Sequence, residues 1–254
     1  SKIIVDSILK IPGPTKRTDL FSFLAKKAFS LPSEFPNSVN KELSTITKRK
    51  KTYTFEDLTH LPFITIDPIN AKDRDDAIYA SFPESSKTRD VFCEIWIAIS
   101  DVSFHVPAGS SIDKEALRRG NSTYFIDSVI PMLPEKISND LCSLEEKKVR
   151  NTITLRVQLN SHGKKISQKF FKSKIVVKHN CSYEEVEDSQ KNLESHKSAK
   201  NEKEQLFDNL FKANSLLTKS MPQGINLSIP EPIFSLSENG DVIGIFKDET
   251  LRSQ

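Results

Sequence analysis

The fold of this chain is decided by one acidic stretch, Asp67-Pro68-Ile69-Asn70-Ala71-Lys72-Asp73-Arg74-Asp75-Asp76. This stretch carries four aspartates within ten residues. An apolar run at 63–66 leads into it, and a second apolar run at 77–80 leads out of it. Short apolar runs on both sides of a polar segment predict a strand, a loop and a second strand. The carboxylates are therefore expected at the junction between two strands.

Four carboxylates this close in sequence repel one another, so a fold that gathers them needs protons or cations in compensation. A hard divalent metal bound by carboxylate oxygens is one solution. In an ideal strand Asp73 and Asp75 share one face and Asp76 takes the other, so the loop has to curl if the carboxylates are to converge. The alternative is a solvated acidic loop, because runs of charge usually face water.

Two other kinds of acidic site can be compared with the sequence. An EF-hand loop that opens at Asp73 would use Asp75 and Glu84, but Ile78 stands where the sharp turn needs glycine, so we reject it. A phosphoaspartate hydrolase places its acidic pair directly after a strand. Here Asp67 is followed by proline and isoleucine, so that interpretation is weak.

The composition limits the classes of function. A chain of 254 residues is long enough for one large domain, or for one domain with an appendage. A net charge of +3 does not by itself identify a nucleic-acid binder, although basic residues are dense at 48–51 and 164–178. The three cysteines form no CxxC pair, which favours a reducing, cytoplasmic compartment. The histidines lack zinc-ligand spacing, and we find neither an apolar run of membrane-spanning length nor a signal peptide.

Apolar periodicity predicts both helices and strands along the chain. Residues 91–99 are apolar on both faces, which indicates a strand buried on both sides. Residues 151–159 alternate between apolar and polar, which indicates a half-buried strand in a hairpin with 166–177. An apolar stripe at 206–217 predicts a helix docked by one face. The remaining predictions are helices at 19–29, 37–46 and 112–119, a turn near Asn139, a polar segment at 187–204, and strands at 3–9, 233–236 and 242–246.

Six stretches, taken together and in order, resemble one enzyme family. The acidic motif at 65–77 is followed by Ile-Ser-Asp-Val-Ser at 99–103, Arg-Gly-Asn-Ser-Thr-Tyr at 119–124, Ile-Pro-Met-Leu-Pro-Glu-Lys-Ile-Ser at 130–138, Leu-Cys-Ser-Leu at 141–144 and Ser-Tyr-Glu-Glu-Val at 182–186. They resemble the signature of the ribonuclease II and ribonuclease R exoribonucleases, whose catalytic module is the RNB domain. One acidic run alone would be a weak match, whereas six ordered motifs make a specific one.

The resemblance implies an α+β fold with a mixed, largely antiparallel sheet and surrounding helices. It also implies three parts along the chain. Residues 1–12 look like the last strand of a cold-shock/OB-like barrel, residues 13–55 like a helical linker, and residues 56–254 like the N-terminal part of an RNB catalytic domain. The family's domain continues past this point, and its second half carries an arginine thought to stabilise the transition state.

The chemistry implied by the resemblance is hydrolytic 3′→5′ digestion of single-stranded RNA to nucleoside 5′-monophosphates, in RNA decay and processing. The implied cofactor is Mg²⁺, with Mn²⁺ as a substitute, and the implied partner is single-stranded RNA, with no membrane. By this resemblance Asp67, Asp73 and Asp76 are metal ligands. Asp75 is assigned to the chemical step, in which it orients the attacking water or a second metal. Two ions about 3.5–4 Å apart can activate water and steady the leaving oxygen.

Two further residues receive roles through the resemblance. Tyr124 matches the position that meets the scissile phosphate or the terminal nucleotide, so it is expected to be catalytic and RNA-binding. The alternative for Tyr124 is a core tyrosine bonded to a backbone carbonyl. Arg119 is expected to contact RNA, and its alternative is a solvated helix face. Asp101 and His105 lie in family-like sequence, but we interpret them as structural.

One departure from the family pattern weakens the expected grip on RNA. The segment 226–231 resembles a family segment in which an aromatic that stacks on bases stands at the position of Leu227. Such stacking is worth roughly 1–3 kcal/mol per base. Two other classes of function therefore stay open. One is a catalytically inactive RNA-binding or scaffold relative with the same fold, and the other is a metal-dependent phosphatase acting on small substrates.

Overall fold

The structure is a computed structural model that describes residues 17–46, 54–83, 91–195, 201–220, 232–239 and 241–247. The expected cold-shock strand within 1–12, the basic run at 48–51 and Leu227 lie outside the described residues. The strands are β1 (Glu56–Asp57), β2 (Phe63–Asp67), β3 (Asp76–Ser81), β4 (Cys93–Ser100), β5 (Thr123–Tyr124), β6 (Val129–Ile130), β7 (Val149–Leu159), β8 (Lys165–Ser182), β9 (Pro232–Leu236) and β10 (Val242–Lys247). The helices are α1 (Arg17–Ala28), α2 (Asn37–Leu43), α3 (Val102–His105), α4 (Ser111–Arg119), α5 (Tyr183–Ser195) and α6 (Glu202–Ser220), with a π-helix at Lys136–Leu141.

Strands β2, β3, β4, β7 and β8 close into a barrel. Neighbouring strands are antiparallel from β2 through β3, β4 and β7 to β8. The second half of the long strand β8 then pairs with β2 in parallel, which joins the two edges of the sheet. Strand β1 pairs with β8 in parallel as well. The predicted α+β fold, with a mixed and largely antiparallel sheet and surrounding helices, is therefore confirmed.

Apolar and hydroxyl side chains together fill the barrel interior. Phe63 and Ala98 are buried in the main core cluster. On β7 the inward face is the polar one, because Thr152 and Thr154 are fully buried. Their hydroxyl oxygens lie 3.1 Å apart, and they lie 2.9 and 2.7 Å from the hydroxyl oxygen of Ser173 on β8. The alternation along β7 alone would suggest burial of its apolar face. The polar face can point into the barrel because the hydroxyls satisfy one another, while Leu159 on the apolar face is buried on the side that α6 covers.

Helices α5 and α6 cover part of the outer face of the barrel. Leu206 and Phe207 of α6 pack with Ile64 of β2 and Cys181 of β8. Farther along α6, Ala213 packs against β3, β4 and β7. The predicted apolar stripe at 206–217 is therefore confirmed as the docking face of a helix.

A second core lies beside the barrel, between α2, α4 and the π-helix. Val39, Ile112 and Ile137 are buried there. Glu42 of α2 joins the two helices, because its carboxylate accepts hydrogen bonds from the backbone N–H groups of Ser111 and Ile112 at 2.7 and 3.2 Å. These are donors that the first turn of α4 cannot satisfy within the helix. The first turn of α4 is thereby fixed against α2.

Most of the predicted elements are present, with shifted ends. The helices predicted at 19–29, 37–46 and 112–119 correspond to α1, α2 and α4, and the strand predicted at 91–99 begins at Cys93. The turn predicted near Asn139 is wrong, because that residue lies inside the π-helix. Much of the polar segment at 187–204 belongs to α5 and to the start of α6. Within the described ranges, no helix has the length and apolar character needed to cross a membrane.

Candidate functional site

The acidic loop joins the end of β2 to the start of β3 and is anchored to two other parts of the fold. Asp67 ends β2 and Asp76 begins β3. The backbone N–H of Ser100, at the end of β4, donates to the carbonyl of Asp75 at 2.9 Å. The hydroxyl of Ser143 donates to the carbonyl of Lys72 at 2.8 Å. The backbone N–H of the following residue, Leu144, donates to the carbonyl of Arg74 at 2.9 Å. The loop conformation is therefore held by β4 and by the segment after the π-helix.

The carboxylates lie close enough to perturb one another electrostatically. Partial burial raises the pKa of Asp75, and the neighbouring charges of Asp73, Asp76 and Asp67 raise it further. Burial also raises the pKa of Asp67; a hydrogen bond from Thr65 opposes that rise and the charge of Asp76 adds to it. Burial raises the pKa of Asp76. Carboxylates whose pKa values are raised by burial and by neighbouring charges are common at functional sites. Asp73, Asp75 and Asp76 are nonetheless exposed and Asp67 is half-buried, as a solvated acidic loop would also allow.

The site does not form a complete metal coordination shell as it stands. Across the residues that the structure describes, no three His, Cys, Asp or Glu side chains come together closely enough to hold a metal ion. The expected convergence of the acidic loop is therefore only partial: the carboxylates are neighbours, but not ligands around one point.

One carboxylate oxygen nevertheless lacks a hydrogen-bond partner. Oδ2 of Asp67 is buried and accepts no hydrogen bond. Arg74 forms a long ion pair with this oxygen, in which its Nε lies 3.8 Å away and also has no hydrogen-bond partner. A buried polar atom without a partner is uncommon and calls for a water, an ion or a ligand. The role of Asp67 as a metal ligand stays a prediction, and its buried oxygen is a candidate for binding a cation.

A single cavity connects the acidic loop to the predicted tyrosine. It has a volume of about 580 Å³, and Asp73, Asp75 and Tyr124 all line it. Tyr124 is 69% exposed, so the alternative of a core tyrosine is wrong. The cavity is large enough for a nucleotide-sized ligand, since such sites usually measure about 300–1,000 Å³. The structure therefore places three of the predicted site residues in one cleft.

The hairpin that carries Tyr124 is fixed by α1. Tyr124 pairs with Val129 across strands β5 and β6. Ser22 of α1 donates a hydrogen bond to the carboxylate of Asp127 at the tip of this hairpin. Lys26 of α1 donates to the hydroxyl of Ser128 at 2.9 Å, and its ammonium lies 5.1 Å from the ring centroid of Phe125. The predicted linker helix thus helps to position a site residue.

Arg119 is a buried structural residue in the described fold. Its side chain is 2% exposed. Its guanidinium donates to the carboxylate of Glu115 at 2.9 Å, to the carbonyl of Pro131 at 2.9 Å and to the carbonyl of Glu34 at 2.8 Å. It also lies 3.8 Å from the ring centroid of Phe35. The alternative prediction, that Arg119 lies on a solvated helix face, is therefore wrong. The predicted RNA contact would require these bonds to open.

Asp101 and His105 have the structural roles that the sequence indicated. Asp101 is buried, and its carboxylate accepts hydrogen bonds from the hydroxyl of Ser103 at 2.5 Å and from the backbone N–H of Phe104 at 3.1 Å. It therefore caps the short helix α3. The ring of His105 packs edge-on against Phe104 at 5.1 Å.

Sequence reasoning gave no role to several residues that the structure brings to the site. Tyr183 follows Ser182, which pairs with Asp67 across the parallel strands. Burial raises the pKa of Tyr183, and the charges of Asp67 and Asp76 raise it further. Ser138 and Asn139 line the cavity from the π-helix. Only the pairing of β8 with β2 brings Tyr183 close to the aspartates, and no local sequence signal specifies that pairing.

Comparisons with known proteins agree on one family. Residues 55–254 match the RNB domain. The chain is 32% identical to ribonuclease R of Thermotoga maritima over 264 residues, which covers 95% of this chain and 36% of that relative. It is 36% identical to ribonuclease R of Buchnera aphidicola over 182 residues, which covers 70% of this chain and 24% of the relative.

A solved structure of Mycoplasma genitalium RNase R in complex with ribose methylated single-stranded RNA is also similar. Its TM-score is 0.78 and its identity 27%, and the match covers 93% of this chain and 37% of that one. The chain thus spans well under half the length of the relatives that it matches.

Proposed function

Because the chain belongs to the RNB domain family of ribonucleases II and R, we propose that it forms part of a 3′→5′ exoribonuclease. The reaction is the hydrolysis of single-stranded RNA to nucleoside 5′-monophosphates, in RNA decay and processing. The observation that carries this proposal is the shared cleft, in which Asp73, Asp75 and Tyr124 line one cavity of about 580 Å³. The Mycoplasma genitalium relative, described in complex with single-stranded RNA, supports the choice of substrate.

The acidic loop is the proposed metal site. Asp67, Asp73 and Asp76 would hold a divalent ion, Mg²⁺ or Mn²⁺, because such hard cations prefer carboxylate oxygens. Oδ2 of Asp67, which is buried and accepts no hydrogen bond, supports this assignment. When bound, the metal supplies neutralisation of the phosphodiester charge and activation of water.

The protein's own groups have separate tasks in the proposed reaction. The carboxylate of Asp75 orients the attacking water and accepts its proton. Burial and the neighbouring carboxylates raise the pKa of Asp75, which makes its carboxylate a stronger proton acceptor than that of a free aspartate. Tyr124 is exposed at the cavity, where its phenol contacts the scissile phosphate or the terminal nucleotide. Arg119 acts at a distance, because it fixes the end of α4 to the carbonyl of Pro131 near the hairpin that carries Tyr124.

The proposed domain arrangement follows the same family assignment. The RNB catalytic part runs from 56 to 254, and the family match from residue 55 supports this boundary. Residues 13–55 form the linker, and residues 1–12 belong to a cold-shock/OB-like barrel. The proposed location is the cytoplasm. Its support is that Cys93, Cys142 and Cys181 are buried free thiols, which suit a reducing compartment.

A second candidate is a catalytically inactive RNA-binding or scaffold relative with the same fold, which the matches to the RNB domain and to ribonuclease R do not favour. Such a protein would bind RNA with a salt-dependent affinity but would release no nucleotides.

One assay separates these possibilities. The full-length protein is incubated with 3′-labelled single-stranded RNA in Mg²⁺, in Mn²⁺ and in EDTA. The proposal expects labelled nucleoside 5′-monophosphate with metal and none with EDTA. Binding without release would indicate the inactive relative. Hydrolysis of p-nitrophenyl phosphate with the RNA left intact would indicate a phosphatase.

A further inference from the structure

A group of cationic and aromatic side chains lies on the inward face of the barrel strands, away from the acidic loop. We name it the cation–aromatic cluster, and its members are Trp96, Arg156, Lys169 and Phe171. Trp96 pairs with Arg156 between β4 and β7, and Arg156 pairs with Lys169 between β7 and β8. Trp96 lies four residues before Ser100, the β4 residue that binds the acidic loop. The cluster is therefore roughly 13 Å along the strand from the candidate active site.

Aromatic rings, not carboxylates, hold the cations of the cluster. The rings of Trp96 and Phe171 stack at a centroid distance of 5.9 Å and an angle of 27°. The guanidinium carbon of Arg156 lies 5.4 Å from the Trp96 ring and 5.9 Å from the Phe171 ring. The ammonium of Lys169 lies 4.6 Å from the Phe171 ring. Rings attract cations without occupying their N–H donors, so these donors stay available.

The charge of the cluster has no internal compensation in the part of the chain that the structure describes. Nε of Arg156 and Nε1 of Trp96 are shielded from solvent and have no hydrogen-bond acceptor. No carboxylate there forms an ion pair with Arg156 or Lys169. The neighbouring acid on β4, Glu94, accepts a hydrogen bond from Gln158 at 2.6 Å instead. Buried donors without an acceptor are unfavourable. An external phosphate can reach the exposed ammonium of Lys169 and the solvent-facing part of the half-buried Arg156, but not these two buried atoms.

We propose that the cation–aromatic cluster is a second RNA contact, which binds a backbone phosphate outside the catalytic cleft. Two cations next to accessible aromatic surface are the usual combination for binding single strands, since the cations meet phosphates and the rings meet bases. Lys169 is exposed and Phe171 is half-buried, so both are accessible to a strand. The choice of RNA as the source of the phosphate rests on the proposed function.

Tryptophan fluorescence tests the proposal at the cluster itself. Trp96 is the only tryptophan in the 254 residues, so its emission reports on this place alone. The protein is titrated in EDTA with a 12-nucleotide oligouridylate, and separately with polyglutamate of matched charge. The proposal expects a saturable change in emission with RNA and a much smaller change with polyglutamate. An equal response to both polymers would overturn it in favour of an acidic protein partner.

Variants measure how much the cluster contributes to RNA affinity. Arg156→Gln and Lys169→Gln are expected to weaken binding of the oligouridylate by about fivefold and threefold. Each is also expected to lower the salt slope of log K by about 1, as for one lost phosphate contact. Lys114→Gln, an exposed lysine on α4, is the matched control and should leave affinity unchanged. Because Lys169 is exposed, its variant preserves the fold even if Arg156→Gln does not. Unchanged affinity and slope in Lys169→Gln would overturn the proposal.

A short substrate separates this inference from the proposed function. A dinucleotide can occupy the cleft without reaching the cluster, so Lys169→Gln should hydrolyse it as the wild type does, while KM for long RNA rises. If the wild type binds RNA at Trp96 but hydrolyses nothing, the proposed function fails and the second contact stands. If the wild type hydrolyses RNA and the variants behave like it on long substrates, the second contact alone fails.

Discussion

Replacing Arg119 by methionine is expected to destabilise the protein by about 3 kcal/mol. The side chain is 2% exposed and donates to Glu115, Pro131 and Glu34. Hydrogen bonds from a charged donor contribute about 1.5–3 kcal/mol each. The carbonyl of Pro131 loses such a bond in a partly buried place, whereas the more exposed carbonyl of Glu34 regains water. Glu115 keeps its bonds to Arg118, so its carboxylate is not left unpaired.

Urea unfolding, followed by the emission of the single tryptophan, measures this effect. Arg118→Met is the matched control, because Arg118 binds the same carboxylate from the surface and its side chain is 55% exposed. Exposed ion pairs contribute little to stability, so this control should lower the free energy of unfolding far less than Arg119→Met does. Arg119→Lys should fall between the two, since lysine keeps the charge but cannot form the planar fork of bonds.

The same variants decide between a structural Arg119 and one that contacts RNA. If Arg119 is structural, Arg119→Met loses more stability than Arg119→Lys, because methionine loses more of the hydrogen bonds. If Arg119→Met unfolds at the same urea concentration as the wild type and binds RNA more than fivefold more weakly, the account is refuted. Arg119 would then contact RNA, as the sequence resemblance implied.

Three further changes are expected to have separable effects. Asp75→Asn should abolish hydrolysis while leaving RNA affinity nearly intact, because the carboxylate serves the chemical step; equal losses in single-turnover rate and in anisotropy-measured affinity would count against that role. Hydrogen bonds from Arg118 and Arg119 lower the pKa of Glu115 from 4.5 to about 2, so its contribution to stability is complete above pH 4.5 and is lost as the pH falls towards 2. The unfolding free energies of wild type and Glu115→Gln should converge over that window, and a constant gap would contradict the ion pairing. Gly163→Ala should cost about 3 kcal/mol in thermal or urea unfolding, because its φ is +76° and an added Cβ would lie 2.3 Å from the carbonyl oxygen of Leu216. Gly120→Ala, with φ +78° and open space, should cost only about 1 kcal/mol, and equal losses would refute the steric reasoning.

Local sequence patterns predicted the elements in which the spacing of apolar residues alone indicates the buried face. The apolar runs beside the acidic loop became β2 and β3, and the apolar stripe at 206–217 became the docking face of α6. The hairpin of β7 and β8 followed from alternation and from a turn at 160–164. In each case one periodicity dominates the segment, so local sequence is enough.

Contacts between distant segments could not be predicted in this way. The barrel closes because β8 pairs with β2, and the paired residues are more than a hundred positions apart, as in Asp67 and Ser182. Alternation along β7 shows that two faces differ, but it does not show which face the barrel covers. The burial of Thr152 depends on Ser173 from another strand.

The candidate site was predictable in its residue types and less so in its geometry. The aspartates and Tyr124 were identifiable from motif resemblance, and the cavity brings Asp73, Asp75 and Tyr124 together. Arg119 looked exposed because it ends a polar helix, but its contacts come from Glu34, Phe35 and Pro131 on other segments. The conformation of the acidic loop depends on hydrogen bonds from Ser100, Ser143 and Leu144, which lie outside the acidic motif.

The acidic loop is proposed to hold a divalent cation beside the cleft. Anomalous diffraction from crystals of the protein soaked in Mn²⁺, collected above and below the manganese absorption edge, tests it most directly. The account predicts an anomalous peak within bonding distance of the carboxylate oxygens of Asp67 and Asp76, and its loss in Asp67→Asn. A map without a peak at the acidic loop, at a Mn²⁺ concentration that supports binding elsewhere, would contradict the account.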